Sequence, residues 1–449
     1  MTFNLLQNNI LLRIKALQAG LYPNNNHYMK FIDSVYIDNQ VDGLTTYVVP
    51  TKIKDVITIS GSMLGGAVYS KEKNSRLSQI TASMLDKGTA DKSKYDISNI
   101  LESIGAEISF ISSNHHINFS AHCLRKDLPV VVELLAEQLR TPEFSSEELS
   151  LLKKRAIANL ERSKEDTKKQ ALIGLLGHLY PIGHINHKNT IDESIDLVNG
   201  VNLSDIKKYH QNTFGLGSTN IVAAGDVSSE KLPDLIKNSF KDWGTQKLIE
   251  LDKKGDANKR DRSTTSMEIK DKTSSDIYIG QTINITEDHE DYYDLMMGIY
   301  ILGGNFSARL MQTVRDEEGL TYGIGSSLSG CSYGVNGHWY TWGTFAPKLV
   351  EHGIKSTMTQ IKQWYEDGIT EQELVAKKTT LNGLFNVSLD TTTGLVDKLL
   401  SNAEKNRKLT FLDDYHHKIN DLDYQSINHS IKRHIDINKL TTSIAGSKA

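Results

Sequence analysis

The residues that could do chemistry are concentrated in segment 303–322, which reads GGNFSARLMQTVRDEEGLTY. Arg315 carries a planar guanidinium whose forked donors suit a peptide carbonyl or a carboxylate. Tyr322 carries a hydroxyl that can donate a hydrogen bond to a developing oxyanion. A purely structural interpretation stands beside this one, because Arg315 could pair with the acids at 316–318 and Tyr322 could be a core residue.

A zinc site is the second kind of chemistry to consider, and the sequence offers little for one. The inverted zinc-binding motif H-x-x-E-H is absent from the chain. Histidine is abundant, with 15 residues, but their spacing is poor for an ion. On a strand, His115 and His116 point to opposite faces, and His116 and His122 lie about 20 Å apart. His184 and His187 are predicted to be loop residues, so we expect no metal site from these histidines.

Composition excludes several other functional classes. The 449 residues carry 51 Lys and Arg against 55 Asp and Glu, so the net charge of −4 gives no sign of a nucleic-acid-binding protein. No apolar run is long enough for a transmembrane helix. Phosphate-binding loops, dinucleotide fingerprints and nucleophile elbows do not occur. The two cysteines, Cys123 and Cys331, exclude a disulfide framework and are expected to be small buried apolar residues.

The chain contains an internal duplication. The segment SSEEL at 145–149 resembles TEQEL at 370–374, and each precedes a helical pattern. The segment NIVAAGD at 220–226 resembles TTSIAGS at 441–447, and each closes its half of the chain. The offsets of 225 and 221 residues are nearly equal, and they are too long for a solenoid repeat. We therefore predict two homologous halves.

The predicted halves are an N-terminal domain over 30–240 and a C-terminal domain over 276–449. The segment between them, 241–275, is polar and charged, which is typical of an interdomain linker.

Within the first half, the local patterns mix strands and helices. Ser145 and Glu148 have the spacing of a capping box that opens a helix. The remaining patterns predict strands over 45–50 and 55–64, helices over 76–88 and 96–105, and a hairpin over 107–124. This content predicts an α+β fold in which each half is an antiparallel sheet packed by helices.

Segment 303–322, the sequence MLDKGT at 84–89 and the loop at 180–190 together resemble pitrilysin/insulinase-type zinc peptidases and the subunits of mitochondrial processing peptidase. The resemblance covers about residues 40–447. It implies that the chain is one half of a clamshell, in which two such chains enclose a chamber.

The resemblance places the catalytic helix over 76–88, yet the catalytic residues are missing. The positions of the first ligand histidine, the catalytic glutamate and the second ligand histidine fall on Gln79, Ala82 and Ser83, in that order. Glu161 is the best match to the third ligand. Amide and hydroxyl oxygens are poor zinc donors, and Ala82 offers no general base. The sequence therefore predicts no metal in this chain, with zinc expected in a partner.

The second motif of the family is better preserved. Arg315 and Tyr322 match an Arg/Tyr pair that the resembling enzymes place opposite the zinc helix. Gly303 and Gly304 match the preceding turn, where the backbone is expected to approach the substrate.

These observations predict a non-catalytic subunit of a heterodimeric zinc peptidase. Its partner would be a homologous chain carrying H-x-x-E-H, and this chain would bind peptide substrate through Arg315 and Tyr322. The alternative is a non-enzymatic peptide-binding or structural homodimer. A peptidase with relocated ligands is a third interpretation. The family resemblance favours a bacterial periplasm, whereas the absence of a recognisable signal peptide favours the cytoplasm.

Overall fold

The computed structural model describes residues 31–70, 74–248 and 263–447. Within these ranges the chain forms two β-sheets, one in each half, and helices cover both faces of each sheet. No helix in the described ranges is long and apolar enough to cross a lipid bilayer.

The first sheet has six strands in the order β1-β2-β6-β3-β5-β4. These are β1 (Tyr36–Val41), β2 (Leu44–Pro50), β3 (Val56–Leu64), β4 (Glu107–Ser112), β5 (His116–Leu124) and β6 (Thr219–Gly225). All neighbouring pairs are antiparallel except β2 and β6, which are parallel. Seven of the nine residues of β3 are buried, because this central strand is covered on both faces.

The described helices of the first half fall mostly between β3 and β6. They are α1 (Ser75–Met84), α2 (Lys94–Ile104), α3 (Leu128–Arg140), α4 (Ser146–Ser163), α5 (Thr167–Leu179), α6 (Ile191–Gly200), α7 (Leu203–Thr213) and α8 (Lys231–Phe240).

The second sheet has five strands in the order β7-β11-β8-β10-β9. These are β7 (Thr264–Glu268), β8 (Ser275–Thr282), β9 (Thr321–Ser329), β10 (His338–Phe345) and β11 (Thr441–Gly446). Again one neighbouring pair is parallel, β7 with β11, and the others are antiparallel.

The described helices of the second half follow the same general plan. They are α9 (Tyr292–Gly303), α10 (Val350–Asp367), α11 (Glu371–Leu389), α12 (Thr392–Glu404), α13 (Thr410–Asp413), α14 (Tyr415–Asn420) and α15 (Tyr424–His434). A π-helical segment, Met311–Glu317, lies between α9 and β9.

The two sheets share one topology, which confirms the predicted duplication. The order β7-β11-β8-β10-β9 repeats β2-β6-β3-β5-β4, including the single parallel pair, and β1 is an additional edge strand in the first half. The parallel pair was not anticipated in the predicted antiparallel sheets. It arises because the last strand of each half pairs with a strand near the start of that half, β6 with β2 and β11 with β7. Such a long-range pairing has no local sequence signal.

The caps of the two long helices repeat as well. Ser145 accepts hydrogen bonds from the first-turn N–H groups of α4, and Thr370 does so for α11. Of these two helices, only α11 has the reciprocal contact of a capping box, between Glu373 and Thr370. In the first half the Glu148 carboxylate instead lies 3.1 Å from Lys94 Nζ, so the predicted box is only half formed.

The two halves exchange one helix each. Helix α5 belongs to the first half by sequence, yet Leu175 and Leu179 pack with Tyr278 and Ala445 of the second sheet. Helix α12 packs the other way, because Leu399 and its neighbours cover the outer face of the first sheet. Each half therefore has its own main hydrophobic core, and the two smaller clusters under the exchanged helices combine residues of both halves.

The first residue of each exchanged helix bonds to the opposite sheet. Thr167 Oγ1 donates to Asp276 Oδ2 over 2.6 Å, and Thr392 Oγ1 lies 2.8 Å from Thr58 Oγ1. Thr58 on β3 and Asp276 on β8 occupy corresponding strands of the two sheets.

One predicted segment behaves differently in the structure. Residues 264–268 fall within the predicted linker 241–275, but they form β7 at the edge of the second sheet. Their polar sequence TTSME gives little strand signal, and pairing with β11 decides their conformation. Residues 249–262 of that linker lie outside the described residues.

Candidate functional site

Helix α1 is the helix that the resemblance identified with the catalytic helix. It begins after Asn74, whose side chain accepts a hydrogen bond from the Arg76 N–H group. Gln79 and Ser83 are exposed and four residues apart, so they share one face of the helix. Ala82 is 1 % exposed and lies in the core of the first half.

Gln79 and Ser83 face a cleft of about 460 Å³ between α1 and α4. From α4 the cleft is lined by Arg155, Asn159 and Ser163. The structure therefore brings two of the predicted degenerate positions to one concave site, against polar residues that the sequence did not single out.

Glu161, the predicted match to the third zinc ligand, does not line this cleft. Its side chain is exposed and lies 3.0 Å from Lys164 Nζ, which also contacts Asp192 at 2.7 Å. Asn159, two residues earlier, takes the inward position. The α4 residues that line the cleft are three or four positions apart in sequence, as residues on one face of a helix are. Asn159 belongs to this series and Glu161 does not.

The charges around the cleft are positive. Arg76, Arg155 and Lys169 line it, and its lining contains no Asp or Glu. Burial lowers the pKa of the Arg76 guanidinium, and burial together with the charge of Arg76 lowers the pKa of the nearby Lys188 amine. Burial lowers both pKa values because it disfavours the charged form.

The residues of this cleft do not fit zinc. A catalytic zinc needs imidazole, thiolate or carboxylate ligands, whereas the cleft offers carboxamide and hydroxyl groups. The three cations would also repel a divalent ion. No metal-assisted step can be assigned to this site.

The Arg/Tyr segment has an unusual local structure. Arg315 lies in the π-helical segment, and such turns are frequent at functional sites. The chain then turns at Gly319, whose φ of 64° is in the left-handed region, and Tyr322 is the second residue of β9. Tyr322 is 97 % exposed, so the interpretation of this residue as part of the core is wrong.

Arg315 has a partner within its own segment. Its Nη1 lies 2.9 Å from Asp316 Oδ1, and the guanidinium lies 5.8 Å from the centre of the Phe306 ring. Phe306 is 78 % exposed. Arg315 is half-buried, whereas Phe306 and Tyr322 are exposed. We call these three residues of segment 303–322 the Arg/Tyr surface. Within the described residues, no hydrogen bond or ion pair connects it to the cleft.

The loop that carries Phe306 is held in place by contacts of Arg309 and Lys377. Arg309 forms a bidentate pair with Glu373, at 2.6 and 2.7 Å, and also donates to the Gly368 carbonyl. Burial would raise the pKa of Glu373, but hydrogen bonds from Arg309 and Thr370 hold it below its ordinary value. Lys377 Nζ, in a side chain only 4 % exposed, donates to Ser307. These contacts give the loop a defined position.

Gly303 is a packing residue, whereas Gly304 is exposed. Gly303 is buried, and a Cβ atom there would lie 2.5 Å from the Ser326 nitrogen of β9. Gly304 caps α9, where a Cβ would collide with Tyr300. The expected approach of Gly303 to a substrate is therefore wrong, because strand β9 occupies that side of the residue.

One cluster escaped the sequence analysis entirely. Among the described residues, ligand atoms of His289, Asp291 and His434 lie within 4.8 Å of one another. Asp291 Oδ2 is already bound by His434 Nε2 at 2.6 Å and by Arg433 Nη1 at 3.0 Å. This is a satisfied ion-pair network at the start of α9, in which the Arg433 guanidinium occupies the position that a metal ion would need. Only folding brings residues 145 positions apart together, so no local pattern announces them.

Comparison with known proteins agrees with this geometry. Residues 54–180 match the family model described as insulinase (peptidase family M16), and residues 200–381 match that of the peptidase M16 inactive domain. A Helicobacter pylori protein named non-peptidase homolog YmxG is 23 % identical over 86 % of this chain and 87 % of its own length. A Bacillus subtilis protein named uncharacterized zinc protease YmxG is 24 % identical over 78 % and 84 %.

Solved structures share the fold. The crystal structure of a peptidase M16 inactive domain from Pseudomonas fluorescens has a TM-score of 0.82 and 21 % identity, covering 92 % of this chain and 98 % of its own. That of a protease from Helicobacter pylori has a TM-score of 0.79 and 19 % identity, covering 92 % and 99 %. The two family models together span most of the chain, and the zinc motif is absent. This chain therefore belongs to the insulinase-type peptidase family M16.

Proposed function

We propose that this chain is the non-catalytic subunit of a heterodimeric zinc peptidase and that it completes the active site of its partner. The observation that carries the proposal is the Arg/Tyr surface. Tyr322 is almost fully exposed, and an anchored loop holds Phe306 of the same segment in place. An aromatic hydroxyl held in solvent on a well-supported strand is suited to a group that another molecule brings.

The chemistry divides between two chains in this proposal. The partner carries H-x-x-E-H and supplies the zinc and the general base, which the cleft of this chain cannot hold. Arg315 exchanges its contact with Asp316 for a carbonyl or carboxylate of the peptide. The Tyr322 hydroxyl donates to the oxyanion that develops at the scissile carbonyl.

The test uses the chain together with a homologous chain that carries H-x-x-E-H, encoded in the same genome. Peptide cleavage is measured for each chain alone and for the complex. We expect activity in the complex only, and the double variant Arg315→Ala with Tyr322→Phe should lower kcat about 100-fold, the scale of a lost oxyanion donor. Complex formation, followed by size-exclusion chromatography, should be unchanged.

A matched control is available in the first half. Tyr95 is 77 % exposed and Arg125 forms an exposed pair with Asp226, so Tyr95→Phe with Arg125→Ala removes the same groups elsewhere. This control should keep full activity. The proposal is wrong if the complex retains its activity without Arg315 and the Tyr322 hydroxyl.

The alternative is a peptide-binding or structural protein that acts as a homodimer. The contact between Arg315 and Asp316 favours it, because it leaves the guanidinium already paired. Recovery of the tagged chain from its native cells distinguishes the two. A stoichiometric companion with H-x-x-E-H supports the peptidase subunit, and a complex of two copies supports the homodimer.

A further inference from the structure

The cleft between α1 and α4 has lost its zinc chemistry but retains an excess of positive charge. Three of its lining side chains are cationic, Arg76, Arg155 and Lys169, and no lining residue is acidic. Like charges that face one concave surface repel one another, and this costs free energy unless an anion binds between them.

Among the described residues, none of these three cations has an acidic partner. Arg76 Nη1 donates to the amide oxygen of Gln79 at 2.7 Å, and Lys169 Nζ donates to Ser163 Oγ at 2.8 Å, both neutral acceptors. Within the described residues, Arg155 has neither a hydrogen bond nor an ion pair from its side chain. Each cation therefore has donors left for a ligand.

Three of the described carboxylates near α4 and α5 are bound to lysines outside the cleft. Glu161 and Asp192 both contact Lys164, and Glu165 lies 2.8 Å from Lys272. These ion pairs lie on side chains that do not line the cleft. The absence of acids from the cleft is thus a property of its surface, although acidic residues are close along the chain.

We propose that this cleft binds a carboxylate group of a peptide. The proposal deepens the proposed function, on which it rests for the peptide nature of the ligand, by naming the substrate class. Arg76 and Arg155 supply forked donors to the carboxylate, and Lys169 adds a third charge. The side-chain amides of Gln79 and Asn159 can pair with the peptide backbone.

The size and walls of the cleft suit such a ligand. Its volume of about 460 Å³ falls in the range of small-molecule and side-chain sites. Apolar residues, among them Ile80, Leu160 and Val198, complete the lining. An apolar wall lowers the local dielectric, which strengthens the attraction between the cations and a bound carboxylate.

Binding is measured by isothermal titration calorimetry with this chain alone. The probes are four short Gly-Ser peptides, with either a run of Glu or a run of Gln, and with either a free or an amidated C-terminus. We expect the Glu peptide with a free C-terminus to bind and its amidated Gln counterpart not to bind. The two mixed peptides tell whether the carboxylate comes from a side chain or from the C-terminus.

The variant Arg155→Gln should weaken binding about tenfold or more, since it removes a charged donor to the anion. Arg155 is exposed and has no structural partner, so its replacement should not lower Tm. Lys154→Gln is the matched control, because Lys154 is the adjacent exposed residue of α4 and does not line the cleft. The dissociation constant of the peptide for this control variant should stay within about twofold of that for the unmodified chain.

The proposal is overturned if the Glu peptide with a free C-terminus and the amidated Gln peptide bind alike, if none of the four peptides binds, or if the two variants have equal effects. The outcome is separate from that of the proposed function, because no partner is present in this assay. Loss of peptide binding in Arg155→Gln would stand even if Arg315 and Tyr322 proved unnecessary for cleavage in the complex.

Discussion

Helices α1 and α9 occupy the same place in the two halves, since each follows the central strand of its sheet, but they differ in what surrounds them. Helix α1 has two exposed residues, Gln79 and Ser83, and both face the cationic cleft. Helix α9 has no exposed residue. Gly298 contacts Ile431 of α15 closely, and Trp364 Nε1 donates to the Gly298 carbonyl.

The charges of the two regions are also opposite. The cleft beside α1 collects cations and excludes acids, whereas α9 begins among acids, with Asp291, Asp294 and Asp423 near one another. Duplication therefore preserved the backbone but not the chemistry. In the first half the helix face lines a cleft, and in the second half the exposed Tyr322 lies on β9 instead of α9.

The largest expected effect tests whether the halves are independent. Leu175 of α5 and Leu399 of α12 are fully buried on the opposite sheets. We expect Leu175→Ala and Leu399→Ala each to lower the free energy of unfolding by about 2–5 kcal/mol, the usual range for truncation of a buried leucine. Because the helices are exchanged, urea unfolding followed by circular dichroism should remain one transition in both variants.

Leu384→Ala is the control for this pair, because Leu384 is 56 % exposed on α11. It should change the free energy of unfolding by less than about 0.5 kcal/mol. Two separate unfolding transitions, or a loss of unfolding free energy in only one of the two variants, would show that the halves fold separately.

The next effect concerns the closed helix α9. Gly303→Ala should destabilise the chain by about 1–3 kcal/mol, because its Cβ would meet the backbone of β9. Gly383→Ala on α11 is the matched control, since Gly383 has open space around it and alanine should be neutral or stabilising there by up to about 1 kcal/mol. Thermal unfolding measures both, and equal effects would contradict the close packing of α9 on β9.

The smallest effect tests the acidic start of α9. Burial, and then the charges of Asp423 and Asp291, raise the pKa of Asp294 from 3.8 to about 6. The folded state therefore holds this proton more tightly than the unfolded chain, so the stabilisation exists at low pH and is lost as pH rises from about 4 to about 6.

Asp294→Asn should accordingly be neutral near pH 3 and stabilising at pH 8, by roughly 1 kcal/mol once solvent screening of this partly exposed group is allowed for. Urea unfolding at the two pH values measures the difference. Asp196→Asn, which replaces an exposed carboxylate on α6, is the control. A pH-independent effect of Asp294→Asn would remove the electrostatic contrast between α1 and α9.

Much of the fold was readable from local patterns. The hairpin of β4 and β5, the end of α2 at Gly105 with its φ of 63°, and the helix caps at Ser145 and Thr370 all rest on near neighbours in sequence. The duplication was readable because it repeats such patterns at a nearly constant offset.

The exchanged helices and the strand β7 were not readable, because their positions depend on partners far away in sequence. The candidate site shows the same division. Loss of the zinc motif and the presence of Arg315 and Tyr322 are facts of residue type. The choice of Asn159 over Glu161 as the inward residue of α4 depends on how that helix is rotated against α1.

The sequence by itself determined that Gln79, Ala82 and Ser83 cannot supply zinc ligands or a general base, because their side chains lack the necessary groups. Only the tertiary structure decided what replaced that chemistry. Arg76, Arg155 and Lys169 are spread over about 90 residues of chain, and they become one cationic surface because α1 and α4 pack side by side. Electrostatic interactions depend on distance in space, which the order of residues does not specify.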